Sequence, residues 1–361
     1  MRLLHVAPFY APAWAYGGMA RAATGLCQAL ARRGHDVTVV TSQTGRDPED
    51  ERLEGVRVLR FPGPAFLLER LVPAARGLRR YLEREAASFD FAHLHGHRNG
   101  LAITAARVLA RRGVPFALQP HGTYPHHGQR RLAKAILDRV AGRRIVSGAA
   151  VLLAVSRAEV ADLPGPARVV ANGVEAPGRA AGVPAAPRPR LLFVGSDAPQ
   201  KRARTLPALL DALPEAELHL VGRFAPRFHR RFARFGDRVV VRGVLGGDEL
   251  AQAYAGAAVV VHPAVGEAFG LVPFEAALLG TPSVTASGHG AGEWLARAGG
   301  CTVSPDDAPA LAEAVRLRLA DRELARREAG TVAAFARREL TWDRAAEEVE
   351  GIYREALGSI V

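Results

Sequence analysis

Two glutamates separated by seven residues mark the segment with the clearest chemical potential. Glu267 and Glu275 lie within residues 262–276, which follow an apolar strand and run into a helix expected to end at Gly280. A loop before that helix would place Glu267 near the strand end and Glu275 on the helix. Such carboxylates can accept hydrogen bonds from sugar hydroxyls, while the free N–H groups of residues 269–272 meet an anion. The alternative is that both acids are solvent-facing residues favoured by the helix dipole.

Single residues at other predicted strand ends could also carry chemistry. His121 follows a strand in a Pro-His-Gly turn that should point its side chain into a ligand cleft. Lys201 is one of only two lysines among 48 basic residues, which sets it apart from the arginine-rich composition. The alternative for Lys201 is a solvated residue near a helix start. We therefore treat both residues as candidates for the site.

Glycines and a histidine cluster complete the candidate set. Gly17 and Gly18 precede a helix and fit a loop that lets the backbone approach a phosphate or an acceptor, although a plain turn explains them equally well. His93, His95 and His97 alternate as on a strand, a spacing that could mimic a metal site. Since no further ligand set supports such a site, we expect no metal.

The elements that must position these residues follow an alternating rhythm. Apolar strands such as residues 36–41, 91–94 and 151–154 alternate with helical stretches such as residues 19–33. This alternation predicts βαβ units, a parallel sheet and a doubly wound α/β fold. Ligands of open parallel sheets bind outside the carboxyl ends of the strands, so we expect the chemistry in the cleft between two such domains.

The domain boundaries follow from a change in composition. Residues 175–189 are rich in Pro, Gly and Ala, which is typical of a linker, and the strand pattern restarts at residue 190. We predict an N-terminal Rossmann-like domain over residues 1–175 and a C-terminal one over residues 189–341. The last helix, about residues 342–361, is expected to pack back on the first domain.

Composition excludes several classes of protein. The chain has 361 residues, 48% of them hydrophobic and 23% charged, which is enough for two folded domains. Cys27 and Cys301 are far apart, so neither a disulfide framework nor a zinc site is expected. No run approaches the roughly 18 apolar residues of a spanning helix, and Pro8 comes too early for a signal-peptide core. These features predict a cytoplasmic protein.

The positive charge is concentrated in the first half of the chain. Residues 1–180 contain 26 basic and 14 acidic residues, whereas the remainder has 22 of each. Helical stretches at residues 66–85 and 129–146 carry much of this excess positive charge. The second stretch places Arg130, Arg131, Lys134, Arg143 and Arg144 beside apolar positions. This combination suits an anionic membrane surface, with an ordinary basic solvent face or a genome-wide arginine bias as the alternative. Sparse aromatic residues in these stretches argue against nucleic acid.

The motifs together resemble the retaining GT-B glycosyltransferases of family GT4. The Glu-x7-Glu segment with its Phe-Gly-Leu core, followed by residues 280–284, is similar to the donor-binding signature of that family. Further stretches agree in order: residues 16–18, 34–37, 120–123, 155–156, 172–174 and 193–201. The resemblance covers nearly the whole chain and is most specific over residues 190–293. It implies a GT-B fold of two Rossmann-like domains.

The resemblance implies a role for each candidate residue. Glu267 would touch hydroxyls of the donor sugar and Glu275 the ribose, while Lys201 would hold the diphosphate. The amides of Phe269, Gly270 and Leu271 would lie close to the sugar and diphosphate. His121 would lie near the anomeric centre, where it orients the donor or relays a proton. The base would be selected by backbone contacts near residues 243–245.

One position departs from the family pattern. Members of the family usually carry an arginine shortly after the strand that ends at Gly195, paired with the later lysine on the diphosphate. This chain has Ser196 there, which can donate a hydrogen bond but brings no charge. Arg202 or Arg204 could compensate, although neither has the matching spacing. The substitution leaves open a donor site of low affinity.

These observations predict a metal-independent retaining hexosyltransferase that needs no cofactor besides its nucleotide-sugar co-substrate. The expected acceptor is a saccharide or a lipid-linked saccharide in envelope or exopolysaccharide synthesis, reached from the cytoplasmic face of the membrane. Electrostatic help to the leaving diphosphate would carry catalysis. The alternatives are a GT-B-like nucleotide-sugar epimerase, which has no acceptor, and a non-catalytic polyanion-binding protein with a degenerate donor site.

Overall fold

The chain forms two compact units in a computed structural model that describes residues 1–63, 75–124, 138–181 and 187–359. The first unit comprises Met1–Gly173 with Trp342–Val361, and the second comprises Val174–Thr341. Across the described ranges, none of the helices combines the length and apolar character that crossing a membrane requires.

The first unit is built on an eight-stranded sheet. Its strands are β1 Arg2–Val6, β2 Asp36–Ser42, β3 Asp50–Leu53, β4 Val56–Phe61, β5 Phe91–His95, β6 Phe116–Gln119, β7 Val151–Ala154 and β8 Arg168–Val169. They lie in the order β3-β4-β2-β1-β5-β6-β7-β8. Neighbouring strands run parallel except for β3 and β4, which form an antiparallel hairpin. Because β1 is central, its carboxyl end lies between those of β2 and β5.

Successive residues of the strands point to opposite sides of the sheet, and helices cover both sides. Leu3 and Val39 pack with α1 Gly18–Arg32 and α13 Trp342–Gly358, whereas Leu4 and Val40 pack with α2 Leu78–Glu85 and α3 Gly100–Arg112. Shorter helices are α4 Arg143–Gly148, which continues a π-helical turn at Asp138–Gly142, and α5 Arg157–Val160. Both faces are therefore buried, as is typical of doubly wound folds.

The second unit repeats this architecture with six parallel strands. They are β9 Arg190–Ser196, β10 Glu217–Arg223, β11 Val239–Gly243, β12 Val259–His262, β13 Ser283–Ala286 and β14 Cys301–Val303, in the order β11-β10-β9-β12-β13-β14. Its helices are α6 Leu206–Ala212, α7 Pro226–His229, α8 Gly247–Ala255, α9 Val272–Leu278, α10 Gly290–Arg297, α11 Ala308–Ala320 and α12 Arg322–Glu339. The strand order reverses direction at β9 and β12, the position where α/β sheets bind ligands.

The predicted α/β class with two parallel-sheet units is confirmed. The helical region after β14 consists of two helices, α11 and α12. They meet at Asp321, whose backbone leaves the helical region and whose side chain accepts a hydrogen bond from the Leu324 amide. An N-cap of this kind starts a new helix instead of continuing the old one.

Candidate active site

Two glycines lie near the carboxyl ends of the central strands β9 and β10 of the second unit. Gly195 on β9 lies opposite Gly222 on β10, and a Cβ on Gly222 would stand 1.7 Å from the Gly195 carbonyl oxygen. Gly222 also has a φ of +131°, which L side chains rarely adopt. Ser196 follows at the end of β9, where its Oγ accepts a hydrogen bond from the Ala198 amide. Glycine at position 222 therefore lets the backbones of β9 and β10 approach closely just before Ser196.

Glu267 brings a lysine and a histidine together at the adjacent strand end. Its Oε1 lies 2.5 Å from the Nζ of Lys201, and its Oε2 lies 2.6 Å from the Nε2 of His262. His262 is the last residue of β12, and Lys201 closes a 3₁₀ turn after β9. A backbone bond from the Val265 amide to the Gln200 carbonyl ties the two loops. The network joins residues 66 positions apart in the sequence.

The charge state of Glu267 follows from these contacts. Burial alone would raise its pKa, but the opposite charge of Lys201 and the hydrogen bonds from Lys201 and His262 hold it well below its usual range. The Lys201 charge and these hydrogen bonds favour the ionised form of Glu267. An ionised carboxylate can only accept hydrogen bonds, so Glu267 suits a hydroxyl-bearing ligand and not proton donation. The alternative of a solvent-facing acid does not fit Glu267, because only 22% of its side chain is exposed.

The loop after His262 presents three backbone donors. The N–H groups of Phe269, Gly270 and Leu271 make no hydrogen bond within the described part of the chain. Gly270 has a φ of +77°, and a Cβ there would stand 2.5 Å from that of Ala291. The ring of Phe269 is buried against Trp294, so this residue offers its amide and not its side chain. Donors held in this way can meet the oxygens of an anion.

Glu275 lies in the first turn of α9 and is 4% exposed. Its Oε2 accepts a hydrogen bond of 2.7 Å from the hydroxyl of Tyr254, a fully buried residue of α8. The hydroxyl of Thr281 in turn donates to the Tyr254 carbonyl. The alternative of a solvent-facing residue does not fit Glu275 either, since its side chain is buried inside the unit.

In the first unit, Gly17 and Gly18 start helix α1 after β1. Gly17 is the N-cap with a φ of +92°, and within the described residues no side chain caps this end of the helix. Its amide donates to the Trp14 carbonyl, which closes a 3₁₀ turn. The open helix start fits the predicted loop for a phosphate or an acceptor.

His121 lies in a turn after β6 that holds it in an unusual conformation. Its φ is +53°, a left-handed value that non-glycine residues seldom adopt. The hydroxyl of Thr123 donates to the Pro120 carbonyl at 2.6 Å, and the Gly122 amide donates to Oε1 of Glu159 at 2.5 Å. Hydrogen bonds on both sides of His121 therefore stabilise the turn.

Glu159 connects this turn to the neighbouring strand. Its Oε2 accepts from the Val155 amide at 2.8 Å, and its side chain is buried. Burial raises the pKa of Glu159, against the effect of the two amide donors. A buried carboxyl that bridges two backbone segments fixes the path of the chain around His121.

His121 also meets the histidines of β1 and β5. His95 Nδ1 lies 3.0 Å from His121 Nε2, and His95 Nε2 lies 3.1 Å from His5 Nδ1. Among the described residues, a grouping of metal-binding side chains occurs at His5, Cys27 and His95, whose ligand atoms lie within 4.8 Å of one another. Burial raises the pKa of the Cys27 thiol well above its usual value, which disfavours the thiolate that a metal requires.

The remaining histidines of the predicted cluster have other partners. His93 Nδ1 lies 2.5 Å from the hydroxyl of Tyr353, and His97 Nδ1 lies 3.2 Å from Oγ1 of Thr123. Both rings are buried. The alternating spacing thus places His93 against the C-terminal helix and His97 beside the turn that carries His121.

Two predictions concern basic residues. Arg202, considered as a substitute for the missing arginine at position 196, pairs with Asp306 at 3.0 Å. Arg143 and Arg144 are exposed on α4. Arg130, Arg131 and Lys134 lie outside the described residues, as does the stretch from 66 to 74.

The structure thus gathers the predicted residues in two groups. Ser196, Lys201, Glu267 and the 269–271 amides lie with Glu275 in the second unit, while Gly17, Gly18 and His121 belong to the first. Sequence reasoning missed three contributors, namely His262, Tyr254 and Glu159. A signal existed for Glu159, because Ser156 and Glu159 form the Ser-x-x-Glu pattern of a capping box and Ser156 does cap α5.

Comparison with known proteins agrees with this arrangement. The family profile described as "Glycosyl transferase 4-like domain" matches residues 17–176, and the one described as "Glycosyl transferases group 1" matches residues 188–321. D-inositol 3-phosphate glycosyltransferase of Xylanimonas cellulosilytica is 30% identical over 99% of this chain and 96% of its own length.

Two further proteins illustrate the breadth of the likeness. Sulfoquinovosyl transferase SQD2 of Arabidopsis thaliana is 28% identical over 72% of this chain, and the match spans 55% of its own length. The crystal structure of Anabaena Alr3699/HepE in complex with UDP-glucose superposes with a TM-score of 0.76 at 19% identity, covering 98% of this chain and 100% of that one. The last likeness shows a shared fold.

Proposed function

Because the chain belongs to the GT4 (group 1) family of GT-B glycosyltransferases, which transfer a sugar from a nucleotide sugar, we propose the finer features of its reaction. The enzyme transfers a hexosyl group with retention at the anomeric carbon and without a metal. The donor is a UDP-sugar, and the acceptor is a saccharide or a lipid-linked saccharide. We infer retention from the sequence resemblance to the retaining enzymes. We infer uracil as the nucleotide base of the donor from the UDP-glucose complex of Alr3699/HepE.

The observation that carries the proposal is the pairing of Lys201 with Glu267 next to the free amides of residues 269–271. A cation and several N–H donors suit a diphosphate, whereas a carboxylate that only accepts suits sugar hydroxyls. The two chemistries of a nucleotide-sugar donor therefore occur within one network of the second unit.

The same residues account for departure of the leaving group. As the bond between the anomeric carbon and the diphosphate breaks, negative charge grows on the phosphate oxygens. Lys201 and the backbone donors stabilise that charge, and they are already in place before the reaction. Lys201 turns from Glu267 toward the diphosphate on donor binding, and Glu267 then accepts hydrogen bonds from the sugar. Ser196 contributes one hydroxyl donor without a charge.

The proposed acceptor and setting are supported by a relative's name and by surface charge. The relative of Xylanimonas cellulosilytica is named for D-inositol 3-phosphate, a small polar molecule. Arg143 and Arg144 add positive charge to the surface of the first unit. We place the enzyme at the cytoplasmic face of a membrane, in envelope or exopolysaccharide synthesis, with anionic lipid as a peripheral partner.

An NMR assay of the reaction tests this proposal. Purified protein is incubated with UDP-glucose and a panel of saccharide acceptors in the presence of EDTA, and the anomeric proton coupling of the product is recorded. We expect a product with the α configuration of the donor, formed at the same rate with and without EDTA. A β-linked product, or strict dependence on added metal, would contradict the proposal. A donor-only reaction separates the alternatives, because an epimerase would isomerise the sugar nucleotide without an acceptor.

A further inference from the structure

Three histidines form a continuous hydrogen-bonded row in the first unit that ends at His121. The histidine row consists of His5 on β1, His95 at the end of β5 and His121 in the turn after β6. Its two bonds are His5 Nδ1 to His95 Nε2 at 3.1 Å and His95 Nδ1 to His121 Nε2 at 3.0 Å. His5 and His95 are fully buried. Both ring nitrogens of His95 are therefore used by other histidines.

Each ring in the row is neutral near pH 7. Burial lowers the pKa of His5 to about 3 and that of His121 to about 4, and it lowers the pKa of His95 well below its usual value. A neutral imidazole has one N–H donor and one bare nitrogen. Only two arrangements then satisfy both bonds: all three rings carry the proton on Nδ1, or all three carry it on Nε2.

The two ends of the row distinguish these arrangements. His5 Nε2 is buried and has no hydrogen-bond partner among the described residues. Protons on Nε2 throughout would leave a buried N–H donor without an acceptor, and orphaned donors are rarer in proteins than under-used acceptors. At the other end, His121 Nδ1 has no partner in the described ranges and does not belong to the buried unpartnered atoms. That nitrogen is accessible to a ligand.

We propose that the row holds His121 in the Nδ1–H tautomer, so that His121 presents a hydrogen-bond donor to an oxygen of the bound sugar nucleotide. His5 and His95 are positioning residues, since they act on the ligand only through His121. This role rests on the proposed function, whereas the tautomer itself does not. The geometry thus favours the donor-orienting role of His121 and excludes a general base at its accessible nitrogen.

Nitrogen-15 NMR of selectively histidine-labelled protein tests the tautomer without any assay of activity. Long-range proton–nitrogen correlations at pH 7.5 distinguish the two neutral tautomers, and the His121→Asn variant identifies the signals of His121. We expect Nδ1–H for His121, His95 and His5, with exposed His229 as an internal reference for an unrestrained ring. An Nε2–H pattern for His121 in the wild-type protein would overturn the proposal.

A matched pair of variants tests the role of the row. His5→Asn replaces the Nδ1–H donor by an amide that can either donate to or accept from His95 Nε2, so both proton patterns become possible. We expect a mixed tautomer for His121 and about a tenfold loss in kcat with an unchanged KM for the donor, the effect of one lost hydrogen bond. His93→Asn changes another buried ring that stacks on His95 but lies outside the row, and we expect His121 to stay Nδ1–H. An unchanged tautomer in a folded His5→Asn protein would contradict the positioning role.

The tautomer measurement and the sugar-transfer assay together show whether the inference or the proposed function is wrong. If the Nδ1–H pattern is found but no sugar is transferred, the row stands and the proposed function fails. If transfer occurs with His121 in the Nε2–H form, the proposed function stands and the inference fails. Thermal unfolding of each variant shows whether it is folded before either conclusion is drawn.

Discussion

Glu267 contacts two nitrogen-bearing side chains, those of a lysine 66 residues away and a histidine five residues away. Burial would make such a carboxyl neutral, and the two partners keep it ionised. Because it is ionised, Lys201 has a counter-charge before any diphosphate arrives. Glu267 therefore balances the positive charge of Lys201 in the ligand-free site.

Substitution of Glu267 by Gln gives a first prediction. The amide accepts one bond but loses the charge, so we expect a loss of roughly 2 kcal/mol in the free energy of unfolding. A depressed pKa contributes stability that is full above the ordinary value of about 4.5 and is lost as pH falls through the folded value. The difference in unfolding free energy between wild type and variant should thus be equal at pH 8 and pH 6. A difference that already shrinks between pH 7 and pH 5.5 would contradict the assigned charge state.

Glu159 gives a second prediction at this scale. In Glu159→Gln the side-chain NH2 would face the Val155 or Gly122 amide, leaving one buried donor unsatisfied and costing roughly 1–3 kcal/mol. Hydrogen exchange at the Gly122 amide should accelerate together with a fall in kcat. Asp162→Asn is the matched control, because this exposed carboxyl lies three residues further along and does not bond the turn. Equal exchange rates in the two variants would show that Glu159 does not hold the turn.

At the scale of elements, sequence patterns predicted the buried parts of the sheets better than their edges. The helix expected at 19–33 is found at Gly18–Arg32, and the strand expected at 151–154 is found at those residues. Strands β3, β8, β13 and β14 were not predicted; each has two to four residues, and all but β13 are at least partly exposed. Short edge strands depend on pairing with a neighbour, which a local pattern does not reveal.

The same distinction applies to the site. Strand ends followed by glycine, histidine or glutamate indicated Glu267, Glu275 and His121 from the sequence. The pairing of Glu275 with Tyr254 and that of His121 with His95 could not be predicted, because each depends on which strands and helices become neighbours in the fold. The sequence thus indicated candidate site residues but not the contacts that position them.

The loop between β12 and α9 supplies a prediction for an element. In Gly270→Ala the new methyl group would meet Ala291 at 2.5 Å, in a backbone conformation that disfavours alanine. We expect the loop to shift and nucleotide-sugar affinity to fall by about tenfold or more, an effect measurable by calorimetry. Gly280→Ala is the control, since its φ of +82° imposes the same strain while the space around it holds no heavy atom of the described residues within 4 Å. Equal affinities in both variants would contradict the role of the close packing.

At the scale of the whole molecule, the C-terminal helix completes the first unit. Trp342 starts α13 and packs so closely against two glycines that a Cβ on Gly25 would lie 2.2 Å from its ring and one on Gly173 would lie 2.4 Å away. Tyr353 on the same helix reaches His93 on β5. The chain therefore returns to its first unit after completing the second.

Gly25→Ala tests this packing. The added methyl group cannot fit beside the Trp342 ring, and overpacking of this kind costs typically about 1–3 kcal/mol, so we expect a lower Tm. Gly351→Ala on the exposed side of α13 should raise stability by roughly 0.5–1 kcal/mol, because alanine favours helices and nothing described lies within 4 Å of the new atom. A Gly25→Ala protein as stable as the wild type would show that α13 docks differently.

The most direct test of the central claim is calorimetric titration of UDP, GDP, ADP and their glucose conjugates into wild type, Lys201→Ala and Glu275→Ala. Arg326→Ala serves as a control that removes an exposed cation of the same unit outside the network. We predict that one nucleotide diphosphate binds the wild type and the control equally, and that both site variants lose at least about tenfold in affinity. Failure of every nucleotide to bind the wild type, or equal binding by all four proteins, would contradict the assignment of the donor site.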